Sequence, residues 1–134
     1  MMICLKNKAH MIYEFDPIIY PRKIWITYDA TSDELNKKFP SGDYNGNRFV
    51  DENSCYGVTY RTSDRNNRGG ILIRFCDKEE AMEPWNMVHE AIHAAGHIFS
   101  YIGVSADFDN DEPFAYLVSW IVKCCYKVKE KRKS

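Results

Sequence analysis

The segment of residues 85–102 constrains the fold more than any other part of the chain, because its residue types separate when it is drawn as a helix. At about 100° per residue, one arc of roughly 100° collects apolar side chains: Trp85, Val88, Ile92, Ala95, Phe99 and Ile102. A second arc, of roughly 120°, collects polar and small residues: Asn86, His89, Glu90, His93, Gly96, His97 and Ser100. The pattern predicts an amphipathic helix that buries the first arc, exposes the second and ends at Gly103.

The polar arc carries residues that suit a metal site. His89 and His93 are four positions apart, so their imidazoles lie one above the other and can converge on one cation at the zinc–nitrogen distance of about 2.0–2.1 Å. Glu90 is offset from this pair but close enough to take a proton from a water at the metal and pass it to a leaving group. The same string also occurs in helices where these residues are merely solvated, but the clean amphipathic pattern favours Zn²⁺ as cofactor and Glu90 as general base.

A catalytic zinc usually takes three protein ligands and a water. Glu112, in the first turn of the next predicted helix, is the favoured third ligand, and the loop acids Asp107, Asp109 and Asp111 compete with it. The alternative for Glu112 is a favourable interaction with the helix dipole. His97 lies on the correct arc, but its Cα would be about 12 Å from that of His89, which makes it a neighbour of the site and not a ligand.

The remaining segments predict an α+β fold, a small mostly antiparallel sheet packed on the motif helix and a C-terminal helix. Strands are expected at residues 11–15 and 23–28, followed by a short helix with Thr31 and Glu34 as a capping box. Residues 58–61 and 71–75 are expected to form a hairpin. The last helix begins near Glu112 or Pro113 and has an apolar stripe: Phe114, Leu117, Val118, Ile121, Val122 and Cys125. The chain, residues 1–134, is interpreted as one domain with a basic, frayed tail at 127–134.

Composition restricts the cellular compartment and the classes of binding partner that we expect. A net charge of -1 gives no overall field that favours nucleic acid or an anionic membrane. No apolar run approaches the roughly 18 residues of a membrane-spanning helix, and Lys6 interrupts the N-terminal apolar run too early for a secretory signal. The five cysteines include no CxxC pair, so reduced thiols and a cytoplasmic protein are expected.

Residues 89–93 with the downstream Glu112 and Tyr116 resemble the zincin metallopeptidases of the gluzincin type. The likeness covers roughly residues 71–122 and is greatest to small HExxH proteins of bacteria and phages, including peptidases that cleave phage repressors. It implies a minimal zincin-like domain in which His89, His93 and Glu112 hold zinc, and Glu90 is the general base. Tyr116 or His97 would then stabilise the oxyanion, and residues 71–75 would offer a free strand edge to an extended peptide. The metzincin pattern does not apply, because Phe99 stands where its third histidine would be.

Three functions are compatible with this reading. The first is a zinc peptidase acting on a peptide or protein, and the second is a metal-dependent amidase acting on a non-peptide substrate through the same site. The third is a non-catalytic, zinc-stabilised interaction module of phage or bacterial origin. The sequence does not identify a substrate or an oligomeric state.

Overall fold

The structure is a computed structural model that describes residues 10–52 and 55–132. Four strands, three α-helices and one 3-10 helix (Glu79–Met82) follow each other along the chain. The strands are β1 (Ile12–Phe15), β2 (Lys23–Tyr28), β3 (Gly57–Ser63) and β4 (Gly69–Phe75), and the helices are α1 (Ser32–Lys38), α2 (Pro84–Ile102) and α3 (Glu112–Arg132). The expectations for the N-terminal run with Lys6, for Cys4 and for the last residues of the tail fall outside the described residues. The α+β class is confirmed.

The four strands form one mixed sheet in the order β1-β2-β4-β3. The β1–β2 and β3–β4 pairs are antiparallel, as predicted for the hairpin, whereas β2 and β4 run parallel with Trp25 opposite Leu72. Since β4 is paired on both sides, the expectation that residues 71–75 have a free edge is wrong. β3 is the edge strand on this side of the sheet, because the hairpin folds β3 outside β4.

Both faces of the sheet are covered, because apolar residues occupy consecutive positions in the two central strands. On one face, α2 and α3 cover Ile24, Ile26, Ile71, Ile73 and Phe75. On the other face, α1 and the loop after it cover Trp25 and Leu72 with Leu35, Phe39 and Phe49. This two-sided burial is typical of parallel strands. β1 and β3 are the outer strands of the sheet, and Asp43 bridges Thr62 on the outer side of β3.

The predicted capping box is confirmed at the start of α1. Thr31 accepts a hydrogen bond from the Glu34 amide, and the Glu34 carboxylate accepts one from the Thr31 amide. The helix ends at Lys38 with Phe39 as its C-cap, close to the predicted end near Phe39. These local contacts satisfy two backbone donors that a helix start would otherwise leave unpaired.

α2 is rotated about its axis from the orientation that its sequence pattern predicts, so the predicted apolar arc is only partly buried: Ala95 and Phe99 are buried and Ile102 is half-buried. Trp85, Val88 and Ile92 are 53%, 40% and 47% exposed. The residues against the sheet and α3 are Met87, Ala91, Ala94, Ala95, Ile98 and Phe99, and Asn86 and Glu90 are also buried. Three alanines on the buried face let the helix backbone approach the sheet closely. Close packing therefore decides which face is buried, although Trp85, Val88 and Ile92 are larger and more hydrophobic.

α3 follows its predicted apolar stripe, with Leu117, Ile121 and Cys125 buried. It also continues through most of the basic tail, which is helical to Arg132. The Arg132 guanidinium lies 4.0 Å from the Tyr28 ring centroid, and Val128 is buried. Among residues 10–52 and 55–132, no helix is both long and apolar enough to cross a membrane.

Candidate metal and catalytic site

The two motif histidines lie one turn apart on the exposed side of α2, with their rings turned toward each other. Their Nε2 atoms are 3.2 Å apart, and their ring centroids are 4.8 Å apart. Two nitrogens that bind one tetrahedral zinc at about 2.0–2.1 Å stand roughly 3.4 Å from each other. The spacing of the two imidazoles therefore fits two adjacent positions of a single zinc ion.

Glu90 lies between these histidines in sequence but turns away from solvent, and it is only 4% exposed. Its Oε1 accepts a hydrogen bond of 2.7 Å from the Thr59 hydroxyl of β3. Its Oε2 lies 4.0 Å from Nε2 of His89. The carboxylate is thus fixed through one oxygen by the edge strand, while the other oxygen lies next to the histidine pair.

A glycine in β3 allows α2 to come this close. A Cβ at position 57 would lie 3.2 Å from Cγ of Glu90 and 3.3 Å from Nδ2 of Asn86. Asn86 donates in turn to the Ala81 carbonyl at 2.7 Å, which ties the start of α2 to the 3-10 helix before it. A side chain at Gly57 would therefore press on Glu90 and Asn86, which would have to shift by a few tenths of an ångström.

His97 makes a second polar contact between α2 and β3, one turn or more after Glu90. The Arg61 Nε–H donates to Nδ1 of His97 at 2.9 Å. Because an arginine can only donate, Nδ1 must be the acceptor, and the neutral imidazole carries its proton on Nε2. Burial, the Arg61 charge and His93 together lower the pKa of His97. The ring is therefore a neutral N–H donor at physiological pH.

Glu112 is exposed at the first residue of α3. Phe114, two residues later, contacts Phe99 with ring centroids 5.4 Å apart, and Phe99 lies about 9 Å beyond His93 along the axis of α2. Asp107, Asp109 and Asp111 are also exposed. Within the described residues, no three His, Cys, Asp or Glu side chains are gathered closely enough to hold a metal, so the identity of the third ligand stays a prediction.

Tyr116, the other residue expected to stabilise an oxyanion, lies in a different place. It is 71% exposed on α3 and lines an apolar pocket of about 360 Å³ with Pro17, Ile19, Tyr20 and other residues of α3. His97 instead lines a cavity of about 360 Å³ next to Thr59 and Arg61. The structure therefore places His97, and not Tyr116, beside β3, the strand whose Thr59 donates a hydrogen bond to Glu90.

Sequence reasoning missed the contribution of β3. Gly57, Thr59 and Arg61 occupy alternate positions, so they share the side of the strand that faces α2. The alternation is visible in the sequence, but the contact with α2 joins residues about 30 positions apart. Only the tertiary structure identifies Thr59 and Arg61 as partners of Glu90 and His97.

No protein-family model matches this chain, and no curated protein or solved structure matches it.

Proposed function

We propose that this protein is a zinc-dependent hydrolase, with His89 and His93 as metal ligands and Glu90 as general base. One observation carries the proposal: two imidazole nitrogens stand 3.2 Å apart, and a buried carboxylate oxygen lies 4.0 Å from one of them. This arrangement combines a pair of zinc donors with a proton acceptor that the protein holds in position. The resemblance of residues 89–93 to the gluzincin motif supports the same assignment.

Zinc, when bound, would supply a Lewis acid that lowers the pKa of a water molecule toward about 7. Glu90 would accept the proton from that water and return it to the leaving group. The Thr59 hydroxyl keeps Oε1 of Glu90 occupied, so Oε2 is the oxygen available for proton transfer. The Nε2–H of His97, directed by Arg61, would donate to the oxygen that gains negative charge.

We propose a carboxylate as the third ligand, in keeping with the common His₂-carboxylate set. Glu112 is the first choice, and Asp107, Asp109 and Asp111 are the alternatives in the preceding loop. Zinc titration of Glu112→Ala and of a variant with all three aspartates changed to alanine separates them. Loss of the true ligand should weaken zinc binding by more than the 10–100-fold typical of an outer-sphere partner.

A peptide is the proposed substrate, because the site lies beside an edge strand. β3 pairs with β4 on one side, and on its outer side Asp43 bridges Thr62 near the end of the strand. Thr59 and Arg61, which precede that bridge, belong both to this strand and to the cavity next to His97. An extended peptide can add to such an edge through main-chain hydrogen bonds. A peptide bound there would pass next to Glu90 and His97.

Metal analysis tests the site before any substrate is known. After zinc is resupplied at neutral pH, the wild type should hold about one zinc per chain, whereas a His89→Ala, His93→Ala double variant should hold almost none. His10→Ala is the matched control, because His10 contacts Asp29 and Glu34. A wild-type protein with less than about a tenth of an equivalent would contradict the metal site.

Hydrolysis is tested with Glu90→Gln and a mixture of internally quenched fluorescent peptides. The variant should keep its zinc but lose about 10²–10⁴-fold in rate, the usual contribution of general base catalysis. Glu79→Gln is the control, since Glu79 is exposed in the 3-10 helix. Equal rates for wild type and Glu90→Gln would remove the proposed mechanism.

A second function, a zinc-stabilised interaction module, is favoured by one observation. Trp85, Val88 and Ile92 flank the histidine pair on the exposed side of α2, and each is at least 40% exposed. An apolar surface of this kind is typical of interaction sites. The module would bind zinc through His89 and His93 and hydrolyse no peptide, so the two experiments together discriminate it from the hydrolase.

A further inference from the structure

A second cavity continues from the one next to His97. It has a volume of about 450 Å³ and lies between the end of β3, the loop at residues 41–44 and the C-terminal part of α2. The two cavities share Asp43, Tyr44 and Arg61 in their linings. Asp43 bridges Thr62 on the outer side of β3, so strand pairing cannot continue past Arg61. A peptide in the first cavity would therefore reach the second one over Arg61 and Tyr44, which line both.

Two guanidinium groups dominate the charge of the second cavity. Arg22 lies 4.3 Å from the Tyr101 ring centroid, and Arg61 lies 5.2 Å from the same ring. Arg61 is also 5.1 Å from the ring centroid of Tyr44. The aromatic faces hold both cations in place, although two like charges around one ring repel each other.

The lining of this cavity contains one carboxylate beside its two guanidinium groups. Asp43 is the carboxylate in its lining, and Oδ1 of Asp43 already accepts from the amides of Asn45 and Asn47. The Nε–H of Arg22 is buried without a hydrogen-bond partner, which is uncommon for a buried donor. An anion in this cavity would offset the repulsion between the Arg22 and Arg61 guanidinium groups, which both line it.

We infer that this cavity is a subsite for a substrate carboxylate, held by Arg22 and Arg61. The inference rests on the proposed peptidase function and names its substrate class: peptides with a carboxylate three or four residues from the bond that is cut. This separation follows from the distance between Thr59, which contacts Glu90, and Ser63, which lines the second cavity: about 13 Å at roughly 3.3 Å per strand residue. The carboxylate is either an acidic side chain or the end of the chain, because both present the same group to a guanidinium.

The test measures binding to protein treated with a chelator, so that neither zinc nor hydrolysis contributes. The probes are a capped hexapeptide with one Glu, the same peptide with Gln, and the Gln peptide with a free terminal carboxylate. ¹⁵N-edited NMR of the arginine Nε–H groups reports the site directly. The Arg22 signal should shift saturably, and one or both carboxylate peptides should bind about tenfold more tightly than the neutral one, as expected of one charge-assisted hydrogen bond.

Which peptide binds identifies the source: preference for the Glu peptide indicates a side chain, and preference for the free acid indicates a chain end. Arg22→Gln should abolish the preference, and Arg22→Lys should retain part of it because the charge remains. Arg132→Gln is the matched control, since it removes the same charge at the opposite end of the sheet, beside Tyr28. The Arg132→Gln variant should prefer the carboxylate peptides over the neutral one as strongly as the wild type does.

Equal affinity for all three peptides, or the same loss in Arg132→Gln as in Arg22→Gln, would overturn the subsite. These outcomes are distinct from a failure of the proposed function. A protein that cleaves peptides without preference for a carboxylate refutes the subsite alone. A protein that binds carboxylate peptides with this preference but cleaves none refutes the hydrolase alone.

Discussion

Replacement of Thr59 by valine tests how the edge strand holds Glu90. Valine is close to threonine in shape, so the change removes mainly the hydroxyl that donates to Oε1 at 2.7 Å. Hydrogen bonds to charged groups contribute about 1.5–3 kcal/mol, and the cost rises when the acceptor stays buried without a donor. Since Glu90 is 4% exposed, we expect the free energy of unfolding to fall by about 2 kcal/mol.

Denaturation by urea measures this change, in the presence of a chelator so that bound metal does not alter the apparent stability. Thr27→Val is the matched control, because the buried Thr27 hydroxyl donates to a neutral acceptor, the Met11 carbonyl, at 2.9 Å. That bond should contribute about 0.5–1.5 kcal/mol.

A double-mutant cycle measures how much of this stability depends on the negative charge of Glu90. In a Glu90→Gln background the amide oxygen still accepts from Thr59, but without the charge, so Thr59→Val should cost about 1 kcal/mol less than in the wild type. A cost below about 0.5 kcal/mol in the wild type, or the same cost in both backgrounds, would refute the view that Thr59 supports the Glu90 carboxylate.

Three further predictions concern the fold. Ile98→Ala should destabilise the protein by about 2–5 kcal/mol, whereas Ile92→Ala should cost less than about 1 kcal/mol, because Ile98 is buried and Ile92 is 47% exposed; the reverse order in urea denaturation would restore the face predicted from the sequence. Burial alone would raise the pKa of Glu34, but hydrogen bonds from Thr31 and His10 outweigh it and lower this pKa to about 2, from 4.5. The stability that these bonds provide is therefore complete above pH 4.5 and is lost as the pH falls toward 2, so Glu34→Gln should show a shallower acid dependence of unfolding, and parallel curves would contradict this. Gly42→Ala should destabilise more than Gly46→Ala: both glycines have positive φ (75° and 80°), but only at Gly42 would a Cβ collide with a carbonyl of the same loop, and equal losses of melting temperature would argue against that collision.

The sequence by itself determined most local features of the fold. Thr31 and Glu34 formed the predicted capping box, Gly103 ended α2 in a left-handed conformation, and residues 57–75 formed the hairpin. These features depend on residues a few positions apart, whose spacing is read directly from the chain. The histidine pair belongs to the same class, because four residues of helix bring two rings together wherever the helix lies.

The tertiary structure decided the features that join distant segments. It placed β4 between β2 and β3, so β3, and not the strand that precedes α2, lies at the edge of the sheet. It also turned α2 so that three alanines face the core and Ile92 faces solvent. Local hydrophobicity could not reveal this rotation, since close packing of small residues depends on what lies opposite them.

The candidate site combines residues that the sequence predicted with contacts that only the tertiary structure shows. The sequence predicted that His89, Glu90 and His93 form a set that binds zinc and moves a proton. The structure added Thr59 to Glu90 and Arg61 to His97, through hydrogen bonds that span 31 and 36 residues. A helical pattern determines which side chains share a face, but only the packing of that helix against an edge strand determines which of them are buried, held and oriented.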